Sequence, residues 1–448
     1  MVEYTTYPGN RVANNVAGQT LRSAHASKHR NNRKYVIITS SLSNMGGAQM
    51  YFRNKMLYLR EHGWTVDIIC GMSKNVIIPE LREFKNLIPE LLFPQYYYSA
   101  KCQKKTIKKL AEIINDDTYE EIVIESSIIH CATWAETVAN KIGAKHLIFL
   151  LQEQNNVTNK KLQDFFVFKY SRRELAGITA NSLKEMFREF HSLDGRESYS
   201  LTAHCNNVEA DVPCELLAQI DRNKYDYIIG ALSRLNKPFV PHAVSDICAY
   251  ATSHPDKRYL LLWIGDAPAG SPELTTVRRM VCDSPNIELV ITGYLLPVPF
   301  KLLEFCDVFI SSSGSSRPCM RSGVPTITYD GNDYRPIGIL GRTTNHSLFR
   351  DHDEPPKDLY HLLDDVLVYK KYAKTPPNYN SGLPDFKTHL DFLSQSSTEK
   401  DYFDFKTLSP TGFMERRICF MLSLIGPLKY LSFATLLRSV RPSLSCKK

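Results

Sequence analysis

The sequence lacks the patterns that mark several common classes of protein. None of its eleven cysteines forms a C-x-x-C pair, and their number is odd. These two facts argue against a disulfide scaffold and for a reducing compartment. Residues 1–33 contain no apolar run of seven, so we expect no signal peptide there. They are rich in Asn, Ser, Arg and His, a composition typical of a disordered tail.

Basic residues are concentrated at the two ends of the chain. Residues 1–34 carry six Lys or Arg against one Glu, residues 406–448 carry eight against one Glu, and the stretch between them is mildly acidic. A nucleic-acid reader lines a folded face with its basic residues, so we expect no nucleic-acid partner. Basic chain ends suit an anionic membrane surface, or they only increase solubility.

Strand and helix patterns alternate through residues 34–205. Residues 35–40 and 66–70 are apolar, β-branched runs on either side of a predicted helix over 49–62, which is the repeating unit of a doubly wound sheet. The alternation continues, with strands predicted at 121–125, 146–151 and 178–180 and helices at 107–115, 134–142 and 183–190.

A second alternating series begins at residue 227 and ends near 345. Its predicted strands are 227–230, 259–264, 287–292, 308–310 and 326–328, and its predicted helices are 241–251, 273–282 and 300–305. The fold class is therefore α/β, with two doubly wound, Rossmann-like domains that face each other across a cleft. The predicted segments are a tail at 1–33, domains at 34–205 and 227–345, a linker at 206–226, a helix-and-loop extension at 346–410 and a basic, apolar tail at 411–448.

The most apolar stretch of the chain is 418–437. Gly426 and Pro427 interrupt it, and Lys429 lies near its middle. A spanning helix needs about 20 apolar residues, so the sequence favours two short helices broken at Gly426-Pro427 and a peripheral attachment to an anionic membrane. The alternative is that this segment packs on the first domain.

Two loops that follow the first strand of each domain are candidate ligand sites. Gly46 and Gly47 lie between the first strand and the first helix, where glycine lets a substrate approach the backbone. The alternative is a tight turn with no ligand. Arg234 and Lys237 occupy the same place in the second domain, and we expect them to bind a diphosphate rather than to be solvated surface cations.

A serine-rich segment, 311–317, ends a strand of the second domain. Ser313, Gly314, Ser315 and Ser316 can form an anion-binding concavity from hydroxyl and backbone N–H groups. No G-K-[ST] follows, so this segment is not a Walker loop. The alternative is a flexible connection.

Metal chemistry has little support in the sequence. Asp351-His352-Asp353 is the only tight D-x-D pattern, and no strand is predicted before it. His130, Glu125 and Glu153 lie near the ends of predicted first-domain strands. His130 and Glu153 are candidates for the acceptor side, although side chains of these types are more often structural than catalytic.

Seven segments together resemble the GT-B glycosyltransferases, and glycosyltransferase family 4 (retaining) in particular. Each motif is weak alone, but their order along 35–345 matches the family. The segments are YVIITSSLSNMGGAQ (35–49), AGITANSLKEMF (176–187), CNNVEADV (205–212), GALSRLNK (230–237), WIGDAP (263–268), ITGY (291–294) and RSGVPTI (321–327).

The resemblance implies a GT-B fold with an acceptor domain followed by a donor domain. It implies that Arg234 and Lys237 take the donor diphosphate during catalysis, while Gly46, Gly47 and the serine segment hold the donor. In the family's retaining mechanism the donor phosphate itself helps to deprotonate the acceptor, so neither a metal nor a cofactor is required. The nucleotide diphosphate sugar is a co-substrate.

Two departures from the family pattern bear on activity. Arg234 and Lys237 are three residues apart, where the family usually has five or six. The family also has two glutamates eight residues apart, which hold the nucleotide ribose and the donor sugar. Counted back from Gly323, those positions hold Ile310 and Pro318.

The sequence thus predicts a glycosyltransferase that moves a sugar to a glycan or lipid-linked acceptor. We expect a role in polysaccharide biosynthesis, in the cytoplasm or on the cytoplasmic face of a membrane. Because both glutamates are missing, two alternatives stay open. One is a GT-B-like binding protein or partner subunit without catalysis, and the other is a transferase with an unusual donor.

Overall fold

The computed structural model describes residues 32–115, 119–152, 155, 157–179, 182–183, 186, 199–267, 271–375 and 384–440. The described residues form two compact units. The first unit comprises 32–204 together with 384–440, and the second comprises 205–375. The chain therefore returns to its first unit after the second is complete.

The first unit is built on a five-stranded parallel sheet in the order β2-β1-β3-β4-β5. Its central strands are buried on both faces because helices cover each side, which explains their uninterrupted apolar sequence. The register places Ile37 of the first strand opposite Ile68 and Glu125. The strands are β1 (Arg33–Ser41), β2 (Thr65–Met72), β3 (Glu121–Ser126), β4 (Lys145–Leu150) and β5 (Leu175–Gly177).

The helices of the first unit bury one apolar face each against this sheet. In the second of them, Ile107, Leu110 and Ile114 share the buried face, and the Ser99 hydroxyl caps the helix by accepting the Cys102 N–H. The helices are α1 (Gly47–Glu61), α2 (Ala100–Ile114), α3 (Ile129–Ile142) and α4 (Lys160–Ser171), with 3₁₀ turns at Pro79–Glu83, Pro89–Leu92 and Gln95–Tyr97.

The second unit is built on a six-stranded sheet in the order β13-β12-β11-β7-β8-β9, in which only β13 is antiparallel. A two-stranded parallel ladder, β10-β6, lies outside it. The strands are β6 (Glu209–Ala210), β7 (Tyr227–Leu232), β8 (Tyr259–Ile264), β9 (Ile287–Ile291), β10 (Val298–Pro299), β11 (Val308–Ser311), β12 (Thr326–Tyr329) and β13 (Pro336–Ile339).

Helices cover both faces of the second sheet, and its core contains Trp263, Tyr259 and Tyr329. The helices are α5 (Glu215–Gln219), α6 (Val240–Ser253), α7 (Glu273–Cys282), α8 (Phe300–Glu304), α9 (Ser316–Arg321) and α10 (Leu359–Leu363), with 3₁₀ turns at Arg222–Lys224 and Ser313–Ser315 and a π-helical turn at Asp364–Val368.

Three helices follow after the chain has returned to the first unit: α11 (Lys387–Ser394), α12 (Phe413–Ile425) and α13 (Pro427–Val440). The break at Gly426 and Pro427 is where the sequence predicts it. Within the described residues no single helix is long and apolar enough to cross a membrane. Helix α12 and residues 427–434 pass that test only as a pair, and the pair is bent by 119°.

The structure confirms most predicted elements and corrects a few. The strand predicted at 178–180 is wrong, because the pairing with β4 lies at Leu175–Gly177. The predicted helix at 183–190 and the predicted tail at 1–33 fall almost wholly outside the described residues. The predicted extension at 346–410 is divided, because its part up to 375 belongs to the second unit and its part from 384 to the first.

Candidate functional site

The loops that follow β11, β7, β8 and β9 lie at one edge of the second sheet. These four strands are neighbours and parallel, so their carboxyl ends meet there, which is where doubly wound sheets bind ligands. The Trp263 indole N–H donates to the Ser233 carbonyl over 2.9 Å, and the Leu235 N–H donates to the Asp266 carbonyl over 3.0 Å. One side-chain bond from β8 and one backbone bond between the loops thus tie the loop after β7 to β8 and to the loop that follows it.

Gly265 makes that contact between loops sterically feasible. Its φ is +142°, and a Cβ built at this position would lie 2.1 Å from the Ser233 carbonyl oxygen. No side chain fits there, so this glycine is required by close backbone approach.

Lys237 contacts the serine segment. The family resemblance implies such a contact, because it assigns both to the diphosphate site. Its ammonium donates to the Ser312 carbonyl over 3.1 Å and to the Ser315 hydroxyl over 3.3 Å. Both acceptors are neutral. Lys237 therefore fixes the segment without neutralising its own charge.

The serine segment is folded rather than a flexible connection. Ser313–Ser315 form a 3₁₀ turn that continues into α9. Ser313 has a φ of +63°, a conformation that costs a non-glycine residue energy and often marks a functional loop. Its N–H donates to the Ser347 carbonyl over 2.6 Å, which holds this conformation.

Three hydroxyls of the segment are used within the fold. The side chains donate to backbone carbonyls, Ser311 to Leu232 over 2.9 Å, Ser312 to Tyr329 over 3.0 Å and Ser316 to Ser313 over 2.6 Å. They shape the loop and do not provide free donors. Ligand contacts from this segment are thus left to Ser313, Gly314, Ser315 and the backbone.

Gly314 faces the loop that precedes β6. A Cβ at this position would lie 2.6 Å from the Asn206 side-chain oxygen and 3.7 Å from the Cys205 sulfur. A side chain at this position would therefore have to displace the Asn206 amide. Asn206 belongs to the predicted linker, which is therefore part of the wall of this site.

Arg234 and Tyr294 share the same edge of the sheet. Burial raises the pKa of the Tyr294 hydroxyl, the nearby Arg234 guanidinium opposes that shift, and Asp266 adds to it. Within the described part of the chain, the Tyr294 hydroxyl and the Asn236 side-chain oxygen are buried without hydrogen-bond partners. Buried polar groups are usually satisfied, so these two are candidates for ligand contacts.

The charge of Lys237 is destabilised by its surroundings. Burial, and then the neighbouring Arg234 guanidinium, lower the pKa of its ammonium to about 8, although the Cys205 thiol acts in the opposite direction. Two cations without a carboxylate between them attract an anion, and a bound diphosphate would restore the charged form of the lysine. The site is therefore suited to phosphate groups.

The glycine pair of the first unit lies where the sequence places it. Gly46 precedes α1 and Gly47 is its first residue, so the unsatisfied N–H groups of the helix start there. The Gln49 side chain donates to the Ser41 carbonyl over 3.2 Å and closes the loop.

Unpartnered polar atoms follow two neighbouring strands of the first sheet. Among the described residues, the Ser43 and Ser127 hydroxyls and the His130 Nε2 atom are buried without hydrogen-bond partners. Burial lowers the pKa of His130 to about 4, so its imidazole is neutral at pH 7. These groups suit a polar, uncharged ligand such as a sugar hydroxyl. Glu153, the other residue proposed for the acceptor side, lies outside the described residues.

Glu125 is structural. It is fully buried, and its carboxylate accepts the Tyr35 hydroxyl over 2.6 Å, the Tyr51 hydroxyl over 2.7 Å and the Lys55 ammonium. Lys55 also donates to the His389 Nδ1 atom over 3.2 Å. Because the carboxylate is fully buried and already accepts three hydrogen bonds, it is not placed to bind a substrate.

A second buried cluster has the order of a serine–histidine–acid triad but not its accessibility. The Ser126 hydroxyl lies 2.9 Å from His146 Nε2, and His146 Nδ1 lies 2.6 Å from the Glu136 carboxylate. All three are fully buried, and Lys169 also pairs with Glu136 over 3.0 Å. A nucleophile that no substrate can reach indicates a structural role.

Within the described ranges, no group of three or more His, Cys, Asp or Glu side chains could hold a metal ion. Asp351 and Asp353 are exposed, and the His352 side chain is fully so.

Several residues of the site were not predicted as functional. Asn236, Asp266, Tyr294 and Asn206 all lie in segments that carry the family resemblance, but their side chains were given no role. Only their position in the sequence could have indicated a role, because each residue follows a strand of the second sheet or precedes its first strand.

Neither a family model nor a curated protein matches the chain. Several solved structures are similar to it. A glycosyltransferase from Rickettsia africae is 16% identical over 74% of this chain and 88% of its own, with a TM-score of 0.52. HepE from Anabaena, in complex with UDP and glucose, is 12% identical over 76% of this chain and 92% of its own, with a TM-score of 0.50. At such identity the similarity establishes the fold, which is the α/β, Rossmann-like GT-B fold.

Proposed function

We propose that this protein is a glycosyltransferase that uses a nucleotide diphosphate sugar as its donor. The observation that carries the proposal is the pair Arg234 and Lys237 at the carboxyl edge of the second sheet, with Lys237 bonded to the serine segment. A diphosphate is the anion that two adjacent cations and a backbone turn recognise best. The fold shared with a glycosyltransferase and with HepE, which was solved in complex with UDP and glucose, supports the same reading.

Catalysis then rests on stabilising the leaving diphosphate. Negative charge grows on the diphosphate as the sugar leaves. Arg234 and Lys237 therefore interact more strongly with the diphosphate in the transition state than in the ground state. Asn236 and Tyr294 offer unpartnered polar atoms to the rest of the donor. The reaction is proposed to be retaining and to need neither metal nor cofactor.

The acceptor is proposed to be a glycan or a lipid-linked glycan that binds the first unit. Ser43, Ser127 and His130 provide buried polar atoms without partners after β1 and β3, and the neutral His130 ring can accept a hydrogen bond from an acceptor hydroxyl. Gly46 and Gly47 leave the start of α1 open to the same ligand.

We place the reaction on the cytoplasmic side of a membrane, in polysaccharide biosynthesis. All ten cysteines of the described residues are free thiols, which suits a reducing compartment.

A thermal-shift screen of nucleoside diphosphates and their sugars, followed by a donor-hydrolysis assay, tests the proposal. UDP comes first because the HepE structure contains it. We expect one nucleoside diphosphate to stabilise the protein and its sugar to be hydrolysed. The variant Arg234→Ala/Lys237→Ala should lose both. The matched control is Lys257→Ala/Arg258→Ala, which removes the same charges just before β8, at the opposite edge of the sheet.

A non-catalytic binding or partner subunit is the second candidate. The observation that favours it is Ile310 and Pro318, which stand where the family has glutamates, with Ile310 fully buried in β11. Binding of a nucleotide sugar without hydrolysis or transfer would support this candidate. Absence of binding by any nucleoside diphosphate would contradict both.

A further inference from the structure

The last two helices expose an unusual amount of apolar surface. We define the C-terminal apolar surface as the exposed side chains of α12 and α13, which are Phe413, Met414, Phe420, Leu424, Leu428 and Phe433. Phe413 is 74% exposed and Met414 66% exposed. Apolar side chains gathered in one segment mark an interaction site rather than chance exposure.

The opposite side of the same helices is fixed to the first unit. Leu422 is buried, the Tyr97 hydroxyl donates to the Glu415 carboxylate over 3.0 Å, and the Tyr430 and Phe93 rings lie edge to face at 5.5 Å. The segment is thus a built part of the fold that packs with one face and leaves the other uncovered.

Cations lie among these apolar side chains. Arg416, Arg417 and Lys429 are exposed on the same two helices. The one acidic residue of 406–448 is Glu415, and its carboxylate is occupied by Tyr97 and by the N–H groups of Thr411 and Gly412. The uncovered face therefore combines apolar and basic groups with no free acid.

We propose that the C-terminal apolar surface docks on a bilayer surface that contains anionic phospholipid. Large apolar side chains enter the headgroup boundary while arginine and lysine meet lipid phosphates, which is the composition of an interfacial helix. The contacts to Tyr97 and Phe93 hold both helices against the first unit, and the bend of 119° prevents them from forming one straight span. The segment therefore lies along the membrane surface. This docking goes beyond the proposed transfer reaction and does not depend on it.

The charge of this surface favours an anionic bilayer over a second copy of the chain as its partner. In a symmetric dimer the same patch faces itself, so Arg416 and Arg417 of one copy would meet the identical basic segment of the other. Like charges brought together oppose such contact, whereas anionic lipid neutralises them.

Vesicle flotation of the full-length protein tests the proposal. Vesicles of phosphatidylcholine alone are compared with vesicles that also contain phosphatidylglycerol, at low and high salt. We expect the wild type to float with the anionic vesicles and to lose binding as salt rises. Arg416→Gln/Arg417→Gln should weaken partitioning by about tenfold or more, and Phe413→Ser/Phe420→Ser/Leu424→Ser should abolish it.

The matched control is Val368→Ser/Tyr369→Ser, which removes two exposed apolar side chains from the second unit. It should float like the wild type. Each variant is also checked for its unfolding midpoint and for nucleoside diphosphate binding, which should not change. Failure of the wild type to float, equal flotation of all variants, or a dimer that the apolar substitutions dissociate would overturn the proposal. Flotation without any donor binding would contradict only the proposed function.

Discussion

Two lysines, one fully buried in the first unit and one half-buried in the second, differ in what surrounds them. Lys55 is fully buried in the first unit, and its three N–H groups have three acceptors: Glu125, the Tyr51 hydroxyl and His389. Lys237 in the second unit has two acceptors, both neutral, and a cation, Arg234, close by. Burial lowers the pKa of both ammonium groups, but only Lys55 has a carboxylate that opposes this shift.

The difference separates a structural lysine from one that we propose binds an anionic ligand. Burial and then the Lys55 charge hold the pKa of His389 well below its usual range, so its neutral ring accepts from Lys55 and its Nε2–H donates to the Thr202 carbonyl over 3.0 Å. Every polar atom of that cluster is used. Lys237 has only neutral acceptors, so a bound anion would supply the counter-charge that it lacks.

The largest expected effect is on the satisfied cluster. Glu125→Leu should lower the free energy of unfolding by about 3–5 kcal/mol, because it leaves Lys55 buried without its counter-charge. Urea unfolding of the purified protein measures this loss.

Glu83→Leu is the matched control for that substitution. It removes an exposed carboxylate paired with Arg60 over 2.7 Å in the same unit and should cost less than about 1 kcal/mol. Equal unfolding midpoints for the two variants would mean that the buried cluster is not the stabilising element we describe.

The next effect is on ligand affinity. Arg234→Ala should weaken binding of the donor diphosphate by about 1.5–3 kcal/mol, or roughly 10- to 150-fold, because it removes charge-assisted hydrogen bonds. Lys237→Ala should cost less if the lysine acts as a point charge alone. Calorimetric affinities unchanged in both variants would show that these cations do not hold the diphosphate.

A smaller effect concerns pH. Lys237 is charged below its pKa of about 8 and neutral above it, so diphosphate affinity should fall as pH rises through 8, by at most about tenfold per unit. Lys237→Arg keeps its charge and should flatten this profile. Stability changes in the opposite direction: between pH 8 and 10.5 the unfolded chain binds the proton that the folded chain has lost, so the cost of this desolvated charge to the fold is relieved as pH rises.

The smallest expected effect tests the packing of the serine segment. Gly314→Ala places a methyl group against the Asn206 amide oxygen, the far end of a side chain that can turn, so it should cost about 1 kcal/mol of stability or less and weaken donor binding slightly. Adding Asn206→Ala removes the clashing atoms, so the double variant should be more stable than the sum of the two single changes predicts. Strict additivity would show that the two residues do not meet.

Much of the fold could be predicted from the sequence because buried parallel strands are continuous apolar runs. Residues 35–40 and 259–264 are such runs, and their sequence predicts buried strands. The strand near 178 was misplaced by three residues, because Leu175–Gly177 is short and only its pairing with β4 identifies it.

The site was predictable in part. Arg234, Lys237 and the serine segment follow adjacent strands, so their meeting follows from topology. The topology does not predict that the Ser311, Ser312 and Ser316 hydroxyls bond within the fold, because a hydroxyl's partner depends on tertiary packing. The role of Glu125 was equally hidden, since Lys55 and His389, which complete its cluster, lie 70 and 264 residues away along the chain.

The most direct test of the account is the number of protons taken up when a nucleoside diphosphate binds. Calorimetric titrations near pH 8, in buffers that differ in ionisation enthalpy, measure that number, with UDP tried first. If Lys237 lacks a counter-charge in the free protein and gains one on binding, its pKa rises from about 8, and the wild type takes up at most about half a proton at pH 8 and more at pH 9. Lys237→Arg should bind and take up none. Equal uptake by the two proteins, or binding by the wild type without uptake, would contradict the account.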